Sequence, residues 1–108
     1  MSAPPEIELL WWEGCPSTER ALSLVHQVVE EFGIGPGVVV SREIQSDETA
    51  AKEGFVGSPT IRINGRDIVP PSEDEPTVLT CRVYHRRDGR ISPLPDVEDI
   101  RDALRKRR

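Results

Sequence analysis

The chain has 108 residues, enough for one domain around one core and too few for two. Charged residues make up 31% and hydrophobic residues 36%, the balance of a soluble globular chain. A net charge of -5 argues against a general nucleic-acid binder, and no apolar stretch reaches the roughly 20 residues needed to span a bilayer.

The start, Met1-Ser2-Ala3-Pro4-Pro5, has neither the charged nor the apolar region of a signal peptide, so the expected compartment is the cytoplasm. The two cysteines, Cys15 and Cys81, are then expected to be reduced. A redox role, a metal role or two unrelated thiols are the open readings.

In chain order, Ile7-Glu8-Leu9-Leu10-Trp11-Trp12 is a short, nearly continuous apolar run and predicts a buried central strand. Glu13-Gly14-Cys15-Pro16 breaks it, and Pro16 suits the first position of a helix, where its missing N–H costs nothing. From Pro16 to Phe32, apolar residues at 21, 22, 25, 28, 29 and 32 mark one helical face, and Gly33 stops it. Val38 to Ile44 is rich in β-branched residues and predicts a second strand. Ser46 is expected to cap a short helix through Lys52, with Gly54 as its stop.

Thr60-Ile61-Arg62-Ile63 predicts a third strand, Asn64-Gly65 a hairpin turn, and Arg66 to Val69 the returning fourth strand. A proline-rich acidic loop follows over 70–80. Cys81 to Tyr84 reads as an extra strand with a turn at Asp88-Gly89, and Asp96 to Leu104 as a final amphipathic helix. The closing run Arg105-Lys106-Arg107-Arg108 complements the negative end of that helix. The order β-α-β-α-β-β, excursion, α predicts an α/β fold with a four-stranded mixed sheet and flanking helices.

Two motifs fall on this framework. Trp12-Glu13-Gly14-Cys15-Pro16-Ser17-Thr18 joins the first strand to the first helix, and Gly57-Ser58-Pro59-Thr60 leads into the third strand. Together they resemble the active-site turn and cis-proline segment of the thioredoxin/glutaredoxin family. The chain also resembles a narrower group of small bacterial thioredoxin-like proteins with Gly-Cys-Pro, Gly-Ser-Pro-Thr and later Cys-Arg-x-Tyr segments, some carrying an alkylmercury-lyase label. The resemblance covers residues 6 to 69 and the last helix. It implies one thioredoxin-like domain over 1–108, with an insertion at about 70–95, and a cis Ser58–Pro59 bond facing Cys15. It also implies an aromatic beside the site, for which Trp12 is the candidate. Thr18 stands where many relatives have a second cysteine, so a disulfide within the turn cannot form.

Thiol–disulfide exchange runs through a thiolate. Cys15 at a helix N-terminus is expected to gain from the free backbone N–H groups there, and Thr18 to donate its hydroxyl to the sulfur. Glu13 opposes a thiolate. The Ser58 backbone is the expected pairing edge for an extended peptide or glutathione, with Pro16 and Pro59 beside it. Topology brings the loop before Cys81 back towards Cys15, so Cys81 is either a resolving cysteine or a partly buried strand residue. His26 and His85 read as surface residues. No zinc-ligand spacing and no phosphate-binding glycine loop is present, so neither metal nor cofactor is expected.

Three functions stay open: a thiol–disulfide oxidoreductase acting on a protein disulfide or a low-molecular-weight thiol, a thioredoxin-fold binding module without turnover, and soft-metal or organomercurial handling by thiolates. Neither nucleic acid nor membrane is an expected partner.

Overall fold

Side chains alternate across a strand, so the first strand feeds two cores. In β1 (Ile7–Trp11), Ile7 and Leu9 point to one face of the sheet. There they pack against Ala21, Val25, Val28 and Val29 of α1 (Thr18–Glu31) and Ile100 and Leu104 of α3 (Val97–Arg105). Leu10 points the other way, joining Ile44, Phe55 and Ala50, the last from α2 (Asp47–Glu53). The computed structural model describes residues 5–106. Most of the opening segment read for a leader, Met1 to Pro4, lies outside them, as do Arg107 and Arg108 of the basic run.

The sheet order is β2-β1-β3-β4. β2 (Val39–Glu43) runs parallel to β1, as a helical crossover through α1 requires. β3 (Thr60–Ile63) lies antiparallel on the other side of β1, with Ile7 opposite Ile63 and Leu10 opposite Thr60. The Asn64-Gly65 turn adopts positive φ at both residues, 53° and 81°, and returns the chain as β4. The expected α/β class and four-stranded mixed sheet are therefore observed.

Two boundaries differ from expectation for identifiable reasons. β4 covers only Arg66–Asp67, not Arg66 to Val69. The Val69 N–H donates to Asp67 Oδ1 at 2.9 Å and its carbonyl accepts from Arg82, so its backbone is withdrawn from the ladder. The excursion contributes a hairpin, β5 (Tyr84–His85) with β6 (Ile91–Ser92), rather than a strand over Cys81 to Tyr84. Within that span, Cys81 instead forms an isolated parallel bridge with Ser58.

Capping follows the sequence closely in the two later helices. Ser46 Oγ accepts from the Thr49 N–H at 3.1 Å, and Gly54 ends α2 at a φ of 67°. Asp96 accepts from the Glu98 N–H at 3.0 Å to start α3, and its second oxygen takes the Arg87 N–H at 2.9 Å. Those two bonds hold the Asp96 carboxyl below its usual range, and the Arg87 bond ties the excursion to the last helix.

The α2 face of the sheet is only partly apolar. Glu8 shares it with Leu10, and Arg42 bridges Glu8 at 2.8 Å and Glu53 at 3.0 Å. These pairs are partly exposed, so Phe55, fully buried, dominates the smaller cluster. Phe55→Ala is expected to cost about 3–5 kcal/mol of unfolding free energy, read from the denaturant midpoint.

Candidate functional site

Cys15 sits in a tight connection. Its N–H donates to the Trp12 carbonyl at 3.0 Å, closing a turn in which the Trp12 ring lies over Gly14. A Cβ on Gly14 would fall 2.3 Å from that ring, so any side chain there would have to push the Trp12 ring aside. Cys15 is 6% exposed, and its Sγ–H donates to the Ser58 carbonyl at 3.3 Å.

The expected start of α1 is shifted. Ser17 is the N-cap and the helix begins at Thr18, which leaves Pro16 in the preceding turn rather than at the first helical position. Cys15 therefore stands two residues before the cap, and its own N–H is committed to Trp12. The Thr18 hydroxyl donates to the Cys15 carbonyl at 3.5 Å, not to the sulfur. The reason is local: a hydroxyl on the first helical residue reaches back to a carbonyl of the preceding turn.

The Gly57-Ser58-Pro59-Thr60 segment is buried throughout and faces this turn. The Ser58–Pro59 bond is cis, as the resemblance implies. Every polar group of Ser58 is used. Its hydroxyl accepts from the Trp12 N–H at 3.0 Å, which pins the end of β1. Its N–H donates to the Thr80 carbonyl at 2.8 Å and its carbonyl accepts from the Arg82 N–H at 2.8 Å. The edge expected to receive an outside peptide or glutathione is thus filled by the chain's own residues 80–82.

That pairing delivers Cys81 to Cys15. The Cys81 thiol pKa is pushed up by burial, then by a hydrogen bond with Cys15 and by the negative charge Cys15 carries when ionised. The residue as a whole remains exposed, and both cysteines are unbridged. Thr18 takes no part in this pairing. The second thiol comes from the excursion, on residues 80–82.

Arg82 holds this strand down. Its guanidinium is buried and reaches Thr60 Oγ1 at 3.1 Å, Asp67 Oδ2 at 2.8 Å and the Val69 carbonyl at 2.5 Å. It also stacks 4.7 Å from the centre of the Tyr84 ring. The Tyr84 hydroxyl donates to the Pro59 carbonyl, and burial raises its pKa strongly. Thr60 passes its own proton to the Gly57 carbonyl at 2.7 Å. Gly57 has a φ of 151°, and a Cβ there would meet the Arg82 Cβ at 2.9 Å and the Arg82 Cα at 3.0 Å. Glycine is what lets the two backbones close.

On its other side Cys15 lines a cleft of about 430 Å³ with Trp11, Pro16, Thr18, Glu19 and Ser41. Trp11, not Trp12, is the aromatic in this cleft. Trp12 packs on the Leu10–Phe55 cluster. Strand parity put the two rings on opposite faces, but only the turn geometry decides which of them meets Cys15. His26 is half-buried on α1 and His85 exposed on β5, and neither is bonded to a site residue.

Arg82, Asp67 and Tyr84 are the site residues that sequence reasoning did not assign. Their signal was the Cys-Arg-x-Tyr spacing, whose alternation puts Arg82 and Tyr84 on the buried side. Among the described residues, no helix is long and apolar enough to cross a membrane. Compared with protein-family models, curated proteins and solved structures, the chain matches none.

Two outcomes follow from this geometry. Arg82→Met strands the largely buried Asp67 carboxylate and is expected to cost about 3–5 kcal/mol at neutral pH by chemical denaturation. Burial already raises the Asp67 pKa despite the Arg82 charge. A raised carboxyl pKa favours the fold on the acid side, so the loss in Arg82→Met shrinks as pH falls towards the ordinary carboxyl range. Cys81 is expected to alkylate more slowly than an unperturbed thiol below pH 9.0, and faster in Cys15→Ala, as followed by mass spectrometry.

Proposed function

We propose that this chain is a thiol–disulfide oxidoreductase of thioredoxin-like fold in which Cys15 is the nucleophile and Cys81 the built-in resolving thiol. The sheet order β2-β1-β3-β4, with Cys15 between β1 and α1 and Gly57–Thr60 entering β3, supports the fold. The observation that carries the chemistry is the pairing of Ser58 with both Thr80 and Arg82, which sets Cys81 beside Cys15.

The reaction balances as two exchanges. The Cys15 thiolate attacks one sulfur of a substrate disulfide, forms a mixed disulfide and expels a thiolate. Cys81 then gives up its proton and attacks the Cys15 sulfur. The Cys15–Cys81 disulfide forms, and the second substrate thiolate leaves and takes up a proton. The substrate disulfide is reduced to two thiols and the protein dithiol is oxidised. Two molecules of an external low-molecular-weight thiol return the protein to the dithiol and leave as their disulfide.

Each group has a physical task. The Ser58 carbonyl accepts a hydrogen bond from Cys15 Sγ at 3.3 Å and so fixes where that sulfur sits. The raised Cys81 pKa disfavours a thiolate there, which keeps Cys81 from competing as the first nucleophile. Arg82 keeps Cys81 within reach, which replaces a bimolecular second step by an intramolecular one.

The test is a single-turnover reaction of the reduced protein with a model disulfide, read by intact mass. Wild type is expected to pass through a mixed disulfide and end two hydrogens lighter than the dithiol. Cys81→Ala is expected to stop at the mixed disulfide on Cys15. A wild-type protein that accumulates the same stable adduct as Cys81→Ala would overturn the reading.

A further inference from the structure

The oxidoreductase reading leaves the size of the substrate open, and the geometry narrows it. We infer that the substrate is a compact low-molecular-weight disulfide and not a disulfide in an extended polypeptide, because the chain lays its own strand along the edge beside Cys15. This inference rests on the oxidoreductase reading above.

An extended peptide offering a disulfide to Cys15 has to lie along the 55–58 segment. Its natural anchorage is main-chain pairing with the exposed edge there, as in strand addition generally. Residues 78–82 already occupy that edge. The Val78 N–H donates to the Phe55 carbonyl at 3.1 Å, and the Thr80 carbonyl and Arg82 N–H take both backbone groups of Ser58. Gly57 is in contact with the Arg82 backbone, so no space remains between the two segments.

Displacing this strand is not a side-chain adjustment. It requires Arg82 to leave Thr60, Asp67 and the Val69 carbonyl together, and Asp67 to lose the guanidinium bonded to it while largely buried. A peptide would gain the backbone bonds it makes and lose the same bonds plus the ion pair. A compact disulfide needs none of this.

The open approach to Cys15 is the cleft on its far side, walled by the Trp11 ring and Pro16, with the Thr18 and Ser41 side chains and the Glu19 carboxylate at its polar part. About 430 Å³ suits a small molecule and not a length of chain in extended form. Attack from this side also leaves Cys81 undisturbed for the second step, since Cys81 comes from the Ser58 side.

The test compares two probes on the Cys81→Ala protein, where Cys15 is the only thiol and the backbone pairing of residues 80–82 is retained. One probe is hydroxyethyl disulfide. The other is an extended cysteine peptide carried as its mixed disulfide with the same hydroxyethyl thiol. Cys15 is expected to react with the compact probe about tenfold faster or more. In Cys81→Ala with Arg82→Ala, the strand is released and the ratio is expected to fall towards one. The ratio compares two probes on one protein, so loss of folded fraction does not mimic the effect. A peptide probe that matches or outruns the compact one on Cys81→Ala would overturn the inference and leave the oxidoreductase reading standing. Silence of Cys15 towards both probes would overturn both.

Discussion

A buried guanidinium is the constraint on which the rest of this site depends. A guanidinium stays charged in proteins, so taking one out of water requires acceptors at its buried end. For Arg82, Asp67, Thr60 and the Val69 carbonyl supply them, and Tyr84 presents its ring face to the same charge. These partners come from β3, β4 and the chain just after it, and β5. One side chain therefore fixes where three parts of the sheet and the excursion meet. The same requirement shortens β4, because Val69 turns its carbonyl away from the ladder to reach Arg82.

From that anchor the position of the neighbouring residue is determined. With Arg82 held, its N–H falls on the Ser58 carbonyl and the Thr80 carbonyl on the Ser58 N–H. Cys81 lies between these two bonds. Ser58 is held in turn by the Trp12 N–H, which ends β1, and Cys15 follows Trp12 through a turn closed by its own N–H. The two cysteines are thus related through consecutive hydrogen bonds, all backbone but for the Ser58 hydroxyl, and not through long, flexible side chains. This is the rigidity that an intramolecular second step needs.

Much of this frame was legible in the residues. The first strand, the Asn64-Gly65 turn, the Ser46 and Gly54 caps and the last helix all carry strong local signals, and local structure obeys them. The start of α1 misled because Pro16 favours the first helical position without requiring it, and a turn of Trp12 to Cys15 satisfies the same residue. The Thr18 hydroxyl misled because its choice between a sulfur and a carbonyl depends on how the helix enters. The site's second half was legible only as a spacing, Cys81-Arg82-Val83-Tyr84. Which long-range partners that spacing serves depends on closing the loop from Pro70 to Leu79, whose composition carries no periodicity. Burial of an arginine is the kind of event that local pattern does not announce.

Under the proposed function, drawing the second thiol from Cys81 rather than from position 18 has a structural consequence. A partner three residues along a helix is fixed by helical geometry alone and stays in place whatever the rest of the chain does. A partner carried on residues 80–82 is fixed by sheet pairing and by an ion pair that closes only when β4, the loop and the β5–β6 hairpin are all in place. Under the proposed function, the Cys15–Cys81 pair is then coupled to the fold of the excursion. The segment that carries Cys81 also covers the backbone edge at Ser58. In the proposed reaction, supplying the second sulfur from a distant segment and excluding long substrates are therefore one structural decision: Cys81 cannot be held at Cys15 in this way without its backbone lying on Ser58.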